Sequence, residues 1–150
     1  MSEHDIAAQW LEKAAVDLQS ADALFSVGIA ANACYFAQQA GEKALKSYLS
    51  LMVDEIPKTH NMGQLCKQCM ETDASFSEIL RISSELTDFA TTTRYPGSPD
   101  YTKDDAEDAI QKAGRIFVFT QEHIEMIEQV LERGFDDEPE QSGPTMRMSF

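Results

Sequence analysis

The sequence predicts an all-α protein, an antiparallel bundle of about five helices without a β-sheet. Three observations support this fold class. Helix breakers are few, since the 150 residues include seven glycines and five prolines, and four of the prolines lie beyond residue 95. Apolar residues recur at steps of three and four. Residues that cap helices precede most of these periodic segments.

Two long helices are predicted in the first third of the chain. The first covers residues 5–26, after a capping box formed by Ser2 and Asp5, and ends at Gly28. Six residues share its apolar face: Ile6, Trp10, Ala14, Leu18, Ala21 and Phe25. The second helix covers residues 31–52, and the small residues beside its apolar face predict the close approach of another helix.

Three further helices complete the predicted bundle. They begin near Asn61, Ser75 and Thr102, each of which stands three residues before a side chain suited to completing a cap. Residues 94–101, RYPGSPDY, are predicted to form a loop before the last helix, because two prolines and a glycine interrupt any helical pattern. The last helix is the longest of the five.

The periodic apolar pattern stops at Arg133 and sets the predicted domain boundary. Residues 1–132 have the length and composition of one helical bundle domain. Residues 133–150 are polar and contain several prolines and glycines. We expect them to form a flexible, acidic C-terminal tail.

The charge of the chain argues against some classes of binding partner. With 12 Lys and Arg against 26 Asp and Glu, the formal net charge is −14, which opposes general binding to nucleic acids or to anionic membranes. The N-terminal residues lack the basic and apolar regions of a signal peptide, and no apolar run is long enough to span a membrane. Three cysteines, an odd number, suit reduced thiols. We therefore expect a cytoplasmic protein.

Few residues stand in patterns that indicate catalysis or metal binding. Cys66 and Cys69 have C-x-x-C spacing, but no second Cys or His pair follows, so they indicate packing on a shared helical face. His4, His60 and His123 are too scattered to predict a metal site, and His123 is expected to pack beside the core. The chain has no P-loop, Rossmann or G-x-S-x-G motif. We therefore predict no metal, no cofactor and no catalytic residue.

A cluster of cations is the main candidate for function. In QQAGEKALK, residues 38–46, Glu42 and Lys46 have the spacing of a favourable ion pair on one helical face. This face is either a solvated stripe or, given its small and aromatic neighbours, part of a crevice between helices. His60 lies in a loop at the mouth of a helix, where exposed N–H groups and nearby cations suit an anion. In the alternative, His60 only points into solvent.

Four short sequence elements follow one another along the chain. They are Trp10 with Asp17-Leu18, AQQAGEKALK at 37–46, PKTHN at 57–61 and RYP at 94–96. In this combination they resemble the HEPN domain family, over about residues 6–130. The resemblance implies an antiparallel helical bundle that forms homodimers and is often encoded beside a minimal nucleotidyltransferase. The small residues of the second helix also favour a homodimer, because they are unusual on a solvated surface.

The resemblance also bears on enzymatic activity. Many HEPN proteins are ribonucleases that carry an arginine, four to six residues and then a histidine. In this chain the corresponding places after Arg94 hold Pro99, Asp100 and Tyr101. One toxin branch carries Arg-x4-His-x-Tyr, with the tyrosine a target of nucleotidylation, and here Arg94, Pro99 and Tyr101 occupy that register with proline in place of histidine. Without the acid-base histidine, we expect no ribonuclease activity.

Together these observations predict a non-catalytic, dimeric binding module that acts with a nucleotidyltransferase partner and binds a nucleotide. Seven residues are expected to line the nucleotide or partner site: Lys43, Lys46, Lys58, His60, Arg94, Tyr95 and Tyr101. In the alternative, the same cations pair with Glu42 and neighbouring acids and stabilise the bundle and its dimer. Two other functions stay open: a toxin-like ribonuclease in which His60 replaces the missing histidine, and a purely structural interaction protein.

Overall fold

Five α-helices and one short 3₁₀ helix make up the fold, within residues 1–91, 96 and 100–137, which the computed structural model describes. In chain order they are α1 (Glu3–Ser26), α2 (Ala30–Met52), α3 (Met62–Thr72), the 3₁₀ helix (Ala74–Ile79), α4 (Leu80–Thr91) and α5 (Lys103–Asp137). No strand occurs in the described part of the chain. The predicted all-α fold class is therefore confirmed.

Helix α1 begins and ends as its sequence predicts. The Ser2 hydroxyl accepts a hydrogen bond from the Asp5 N–H, and the Asp5 carboxylate accepts one from the Ser2 N–H. Gly28 follows the helix with a φ of +82°, a conformation that disfavours side chains. The buried face is narrower than predicted: Ala7, Ala14, Asp17 and Ala21 are buried, whereas Trp10 is only partly covered.

Helix α2 lies at the centre of the bundle and contacts all four other α-helices. Its small residues are fully buried between them: Ala33, Ala37, Ala40, Gly41 and Ala44. At Gly41 a Cβ atom would lie 2.6 Å from the Met62 Cε atom, which shows how closely α3 approaches. The predicted close approach of another helix is confirmed. The small residues therefore face the interior, and the sequence argument that placed them at a dimer surface is wrong.

The turn between α3 and α4 differs from its prediction. Asn61 caps α3 as expected, since its side chain accepts from the Gln64 N–H. Ser75 does not cap a helix, because its hydroxyl donates to the Asp73 carboxylate over 2.6 Å. Asp73 instead accepts from the Ser75 N–H and begins the 3₁₀ helix, so that α4 starts only at Leu80.

Helix α5 is the longest and runs beyond the predicted boundary. The Thr102 hydroxyl accepts from the Asp105 N–H, and the Asp105 carboxylate accepts from the Thr102 N–H, which confirms the predicted cap. The helix ends at Asp137. Residues 138–150 lie outside the described residues, so the flexible tail stays a prediction.

An aromatic cluster fills the core beneath the 3₁₀ helix. The ring centroid of Phe76 lies 4.4 Å from that of Tyr48, 5.0 Å from that of Phe119 and 5.4 Å from that of His123. His123 stacks on Phe119, and its Nδ1–H donates to the Phe119 carbonyl oxygen over 2.8 Å. The prediction that His123 packs beside the core is confirmed.

The three cysteines are buried as thiols. Burial raises the pKa of Cys66 to about 11, and burial likewise raises the pKa of Cys69. A thiol with so high a pKa is not a nucleophile near neutral pH. The C-x-x-C spacing of Cys66 and Cys69 therefore reflects packing on one face of α3, as predicted.

None of the described helices has an apolar stretch long enough to cross a membrane.

Candidate functional site

A buried carboxylate lies at the centre of the predicted cation cluster. Glu42, on α2, is 5 % exposed and accepts hydrogen bonds from three side chains. Lys46 Nζ donates over 2.8 Å, His60 Nδ1–H over 3.1 Å and Gln38 Nε2 over 3.2 Å. The predicted ion pair between Glu42 and Lys46 is confirmed. It is part of a crevice and not of a solvated stripe, since the Lys46 side chain is 13 % exposed.

Two segments of the chain build this network. Gln38, Glu42 and Lys46 lie at successive i, i+4 positions of α2 and therefore share one face of that helix. His60 comes from the loop before α3, where the Thr59 hydroxyl accepts from the Asn61 N–H and the Asn61 side chain caps α3. These two local bonds hold the loop backbone where the His60 ring reaches Glu42. The His60 side chain is otherwise 78 % exposed.

The protonation state of Glu42 follows from two opposing effects. Burial raises the pKa of a carboxyl group, because it removes water from the charged form. At Glu42 the hydrogen bonds from Lys46, His60 and Gln38 outweigh burial, and the pKa lies below its usual value. Glu42 is therefore ionised at neutral pH and can hold the Lys46 and His60 side chains in place.

A groove of about 330 Å³ opens beside this network. Six residues line it, and together they define the Trp10 groove: Trp10, Lys46, Ile56, Pro57, Lys58 and His60. The Lys46 ammonium lies 5.9 Å from the centre of the Trp10 ring, within the range of a cation–π contact. Lys58 forms no ion pair with any residue that the structure describes. The groove thus combines apolar walls with cations.

Lys43 lies outside the Trp10 groove. Its ammonium donates to the Asp17 carboxylate over 2.6 Å, and Asp17 is 8 % exposed. This ion pair joins α1 to α2 and borders a different groove, lined also by Glu12, Lys13 and Val16. For Lys43 the geometry therefore favours the alternative in which a cation pairs with an acid and stabilises the bundle.

Tyr101 is not among the described residues that line the Trp10 groove. Tyr101 precedes α5 and packs edge-to-face on Phe89 of α4, with 5.2 Å between the ring centroids. Arg94 and Tyr95 lie outside the described residues, so their predicted part in the site stays a prediction. Of the seven predicted residues, Lys46, Lys58 and His60 are brought together.

Sequence reasoning left Trp10, Asp17 and Gln38 out of the site. Asp17 had a detectable signal, because it stands three residues after Ala14 and four before Ala21, within the buried face of α1. A carboxylate in such a position needs a partner. Trp10 and Gln38 carried no comparable signal.

In the described ranges, no group of three His, Cys, Asp or Glu side chains is arranged to hold a metal ion.

Comparison with known proteins agrees with this architecture. The HEPN domain profile matches residues 7–124. The chain is similar to the crystal structure of TT1696 from Thermus thermophilus, with 31 % identity over 77 % of this chain and 96 % of that chain, and a TM-score of 0.69. It is also similar to the crystal structure of ST0689, an archaeal HEPN homologue, with 28 % identity, 79 % and 97 % coverage, and a TM-score of 0.67. No curated protein matches the chain. The predicted family is confirmed: the chain belongs to the HEPN domain family.

Proposed function

We propose that this domain is a non-catalytic binding module whose Trp10 groove takes the phosphate groups of a nucleotide. One observation carries the proposal: the buried, ionised Glu42 holds Lys46 and His60 at the edge of an open groove. Side chains held in advance lose little conformational freedom when a ligand binds. The ammonium of Lys58 adds a cation that no described carboxylate neutralises.

The local charge of the groove differs in sign from that of the whole chain. Lys46 and Lys58 contribute two positive charges and Glu42 one negative charge, so the groove carries a net charge of +1 when His60 is neutral. The chain as a whole carries −14. An isolated positive site in an acidic protein suits a small anion better than a long polyanion, which the surrounding field repels. A volume of about 330 Å³ lies at the low end for ligand sites and suits a mononucleotide.

The binding function should depend on Lys58 and not on Lys43. We expect Lys58→Ala to weaken the binding of ATP about fivefold, because it removes one phosphate contact. Its melting temperature should stay unchanged, because Lys58 has no described ion-pair partner. Lys43→Ala should leave binding unchanged but lower the melting temperature by about 4 °C, since it leaves Asp17 without its cation. Isothermal titration calorimetry and thermal melts measure the two effects.

Two further measurements complete this experiment. Lys67→Ala is the matched control, because Lys67 is exposed on α3 and lies outside the groove. It should change neither property. The proposal is wrong if wild-type protein shows no heat of binding and no melting shift with millimolar ATP. Cleavage of single-stranded RNA that is lost in His60→Ala would instead support the ribonuclease alternative.

We also propose that the domain forms a homodimer through α5. Four large apolar side chains on this helix are about half exposed or more: Val118, Met126, Val130 and Leu131. Met126 and Val130 are four residues apart, and Leu131 lies beside them, so the C-terminal half of α5 presents a continuous apolar stripe. A second copy of the same stripe is a self-complementary partner for it. The nucleotidyltransferase partner is proposed on the family resemblance alone.

Sedimentation velocity at micromolar concentration tests the dimer. We expect wild-type protein to sediment as a dimer and Val130→Asp to sediment as a monomer, because a carboxylate in the apolar stripe loses its water on association. Val16→Asp is the control, since Val16 is similarly exposed on α1, away from the stripe. It should remain a dimer. A clean wild-type monomer would contradict the proposal.

A further inference from the structure

The single tryptophan of the chain occupies an unusual position. Trp10 stands on the same face of α1 as the buried residues Ala7, Ala14, Asp17 and Ala21, three residues after Ala7 and four before Ala14. Its side chain is only partly covered and borders two adjacent grooves. One is the Trp10 groove, and the other has a volume of about 230 Å³ and is lined also by Ile6, Gln9 and Lys13. Part of the indole ring is therefore accessible from these two grooves.

We infer that Trp10 is the base-stacking residue of the groove. In this arrangement the base of a nucleotide lies against the indole ring, beside Ile56 and Pro57, and its phosphate groups reach Lys58 and His60. The inference rests on the proposed function and extends it to the base, which is the part of a nucleotide that the phosphate contacts do not recognise. It names a nucleoside phosphate, and not a free phosphate or polyphosphate, as the ligand.

The chemistry of the groove lining carries this assignment. Its apolar wall consists of an indole ring and two adjoining apolar residues, Ile56 and Pro57, whereas Lys58 supplies an ammonium group and His60 an imidazole. A ligand that matches both parts has a flat, uncharged portion and an anionic portion. A nucleotide has both. Stacking on an aromatic side chain accepts every base, so the groove is expected to show little base specificity.

The Glu42 network also fixes the surroundings of the aromatic ring. Lys46 is bound to Glu42 and lies 5.9 Å from the centre of the Trp10 ring. Because Glu42 holds the ammonium in place, the cation remains near the ring at the edge of the groove. A bound nucleotide can therefore contact the indole and a fixed positive charge together.

Intrinsic fluorescence tests the inference directly, because Trp10 is the only tryptophan. We expect ATP to quench this fluorescence and inorganic tripolyphosphate to leave it nearly unchanged, although calorimetry detects the binding of both. In Trp10→Leu, the affinity for ATP should fall about tenfold, whereas the affinity for tripolyphosphate should stay within about twofold of wild type. Trp10→Phe keeps a ring and should lose less affinity for ATP than Trp10→Leu.

The outcomes separate this inference from the proposed function. If wild-type protein binds ATP by calorimetry without any change in Trp10 fluorescence, the stacking role is overturned, whatever the variants do. Equal losses of ATP and tripolyphosphate affinity in Trp10→Leu also overturn it, and the phosphate groove then stands without a base contact. Failure of wild-type protein to bind either ligand overturns both the inference and the proposed function.

Discussion

Replacement of Glu42 by alanine is expected to lower the free energy of unfolding at pH 7 by about 3 kcal/mol. The change leaves Lys46, which is 13 % exposed, and the buried Gln38 without their shared acceptor. Removing one member of a buried ion pair costs more than the pair contributes, because the remaining charge has lost both water and its partner. Urea-induced unfolding of wild type and Glu42→Ala measures the difference.

A double variant and a pH series are the controls for Glu42. Glu42→Leu combined with Lys46→Met removes both charges and should recover most of the lost stability. Because the pKa of Glu42 is lower in the folded protein, its contribution is complete above the usual value of about 4.5. It disappears as the pH falls through the lower, folded-state pKa. A difference between wild type and Glu42→Ala that does not shrink in acid would contradict this account.

Replacement of Phe76 by alanine should lower the free energy of unfolding by about 4 kcal/mol. Phe76 is fully buried, and its ring contacts those of Tyr48, Phe119 and His123. The substitution leaves a cavity among aromatic rings that α2 and α5 contribute, so neighbouring side chains can fill it only in part. Thermal melts and urea-induced unfolding both report this loss.

Two variants calibrate the effect at Phe76. Phe76→Leu keeps most of the apolar volume and should cost about 1 kcal/mol. Val16→Ala, at an exposed position of α1 outside the proposed dimer stripe, should change the free energy of unfolding by less than about 0.5 kcal/mol. A loss below about 1 kcal/mol in Phe76→Ala would show that the 3₁₀ helix is not anchored by this ring.

Local chemistry along the chain was enough to predict the fold class and several contacts. The caps at Ser2, Asn61 and Thr102 and the ion pair of Glu42 with Lys46 all join residues within about one helical turn. Such pairs depend only on the helical repeat, which apolar spacing reveals. The one cap predicted wrongly, at Ser75, failed because Asp73, two residues earlier, accepts from the Ser75 N–H and begins a 3₁₀ helix there.

The Trp10 groove depends instead on which helices and loops meet, and on how deeply each of its residues is buried. His60 reaches Glu42 across 18 residues, and Lys43 reaches Asp17 across 26. The sequence alone does not distinguish the role of Lys43 from that of Lys46, because both are lysines of α2 and lie only three positions apart. Only the packing of α1 and of the loop before α3 against α2 assigns Lys43 to a structural ion pair and Lys46 to the groove beside Trp10. Spacing along one helix specifies the direction of a side chain but not the neighbour that it meets, because that neighbour comes from a distant part of the chain.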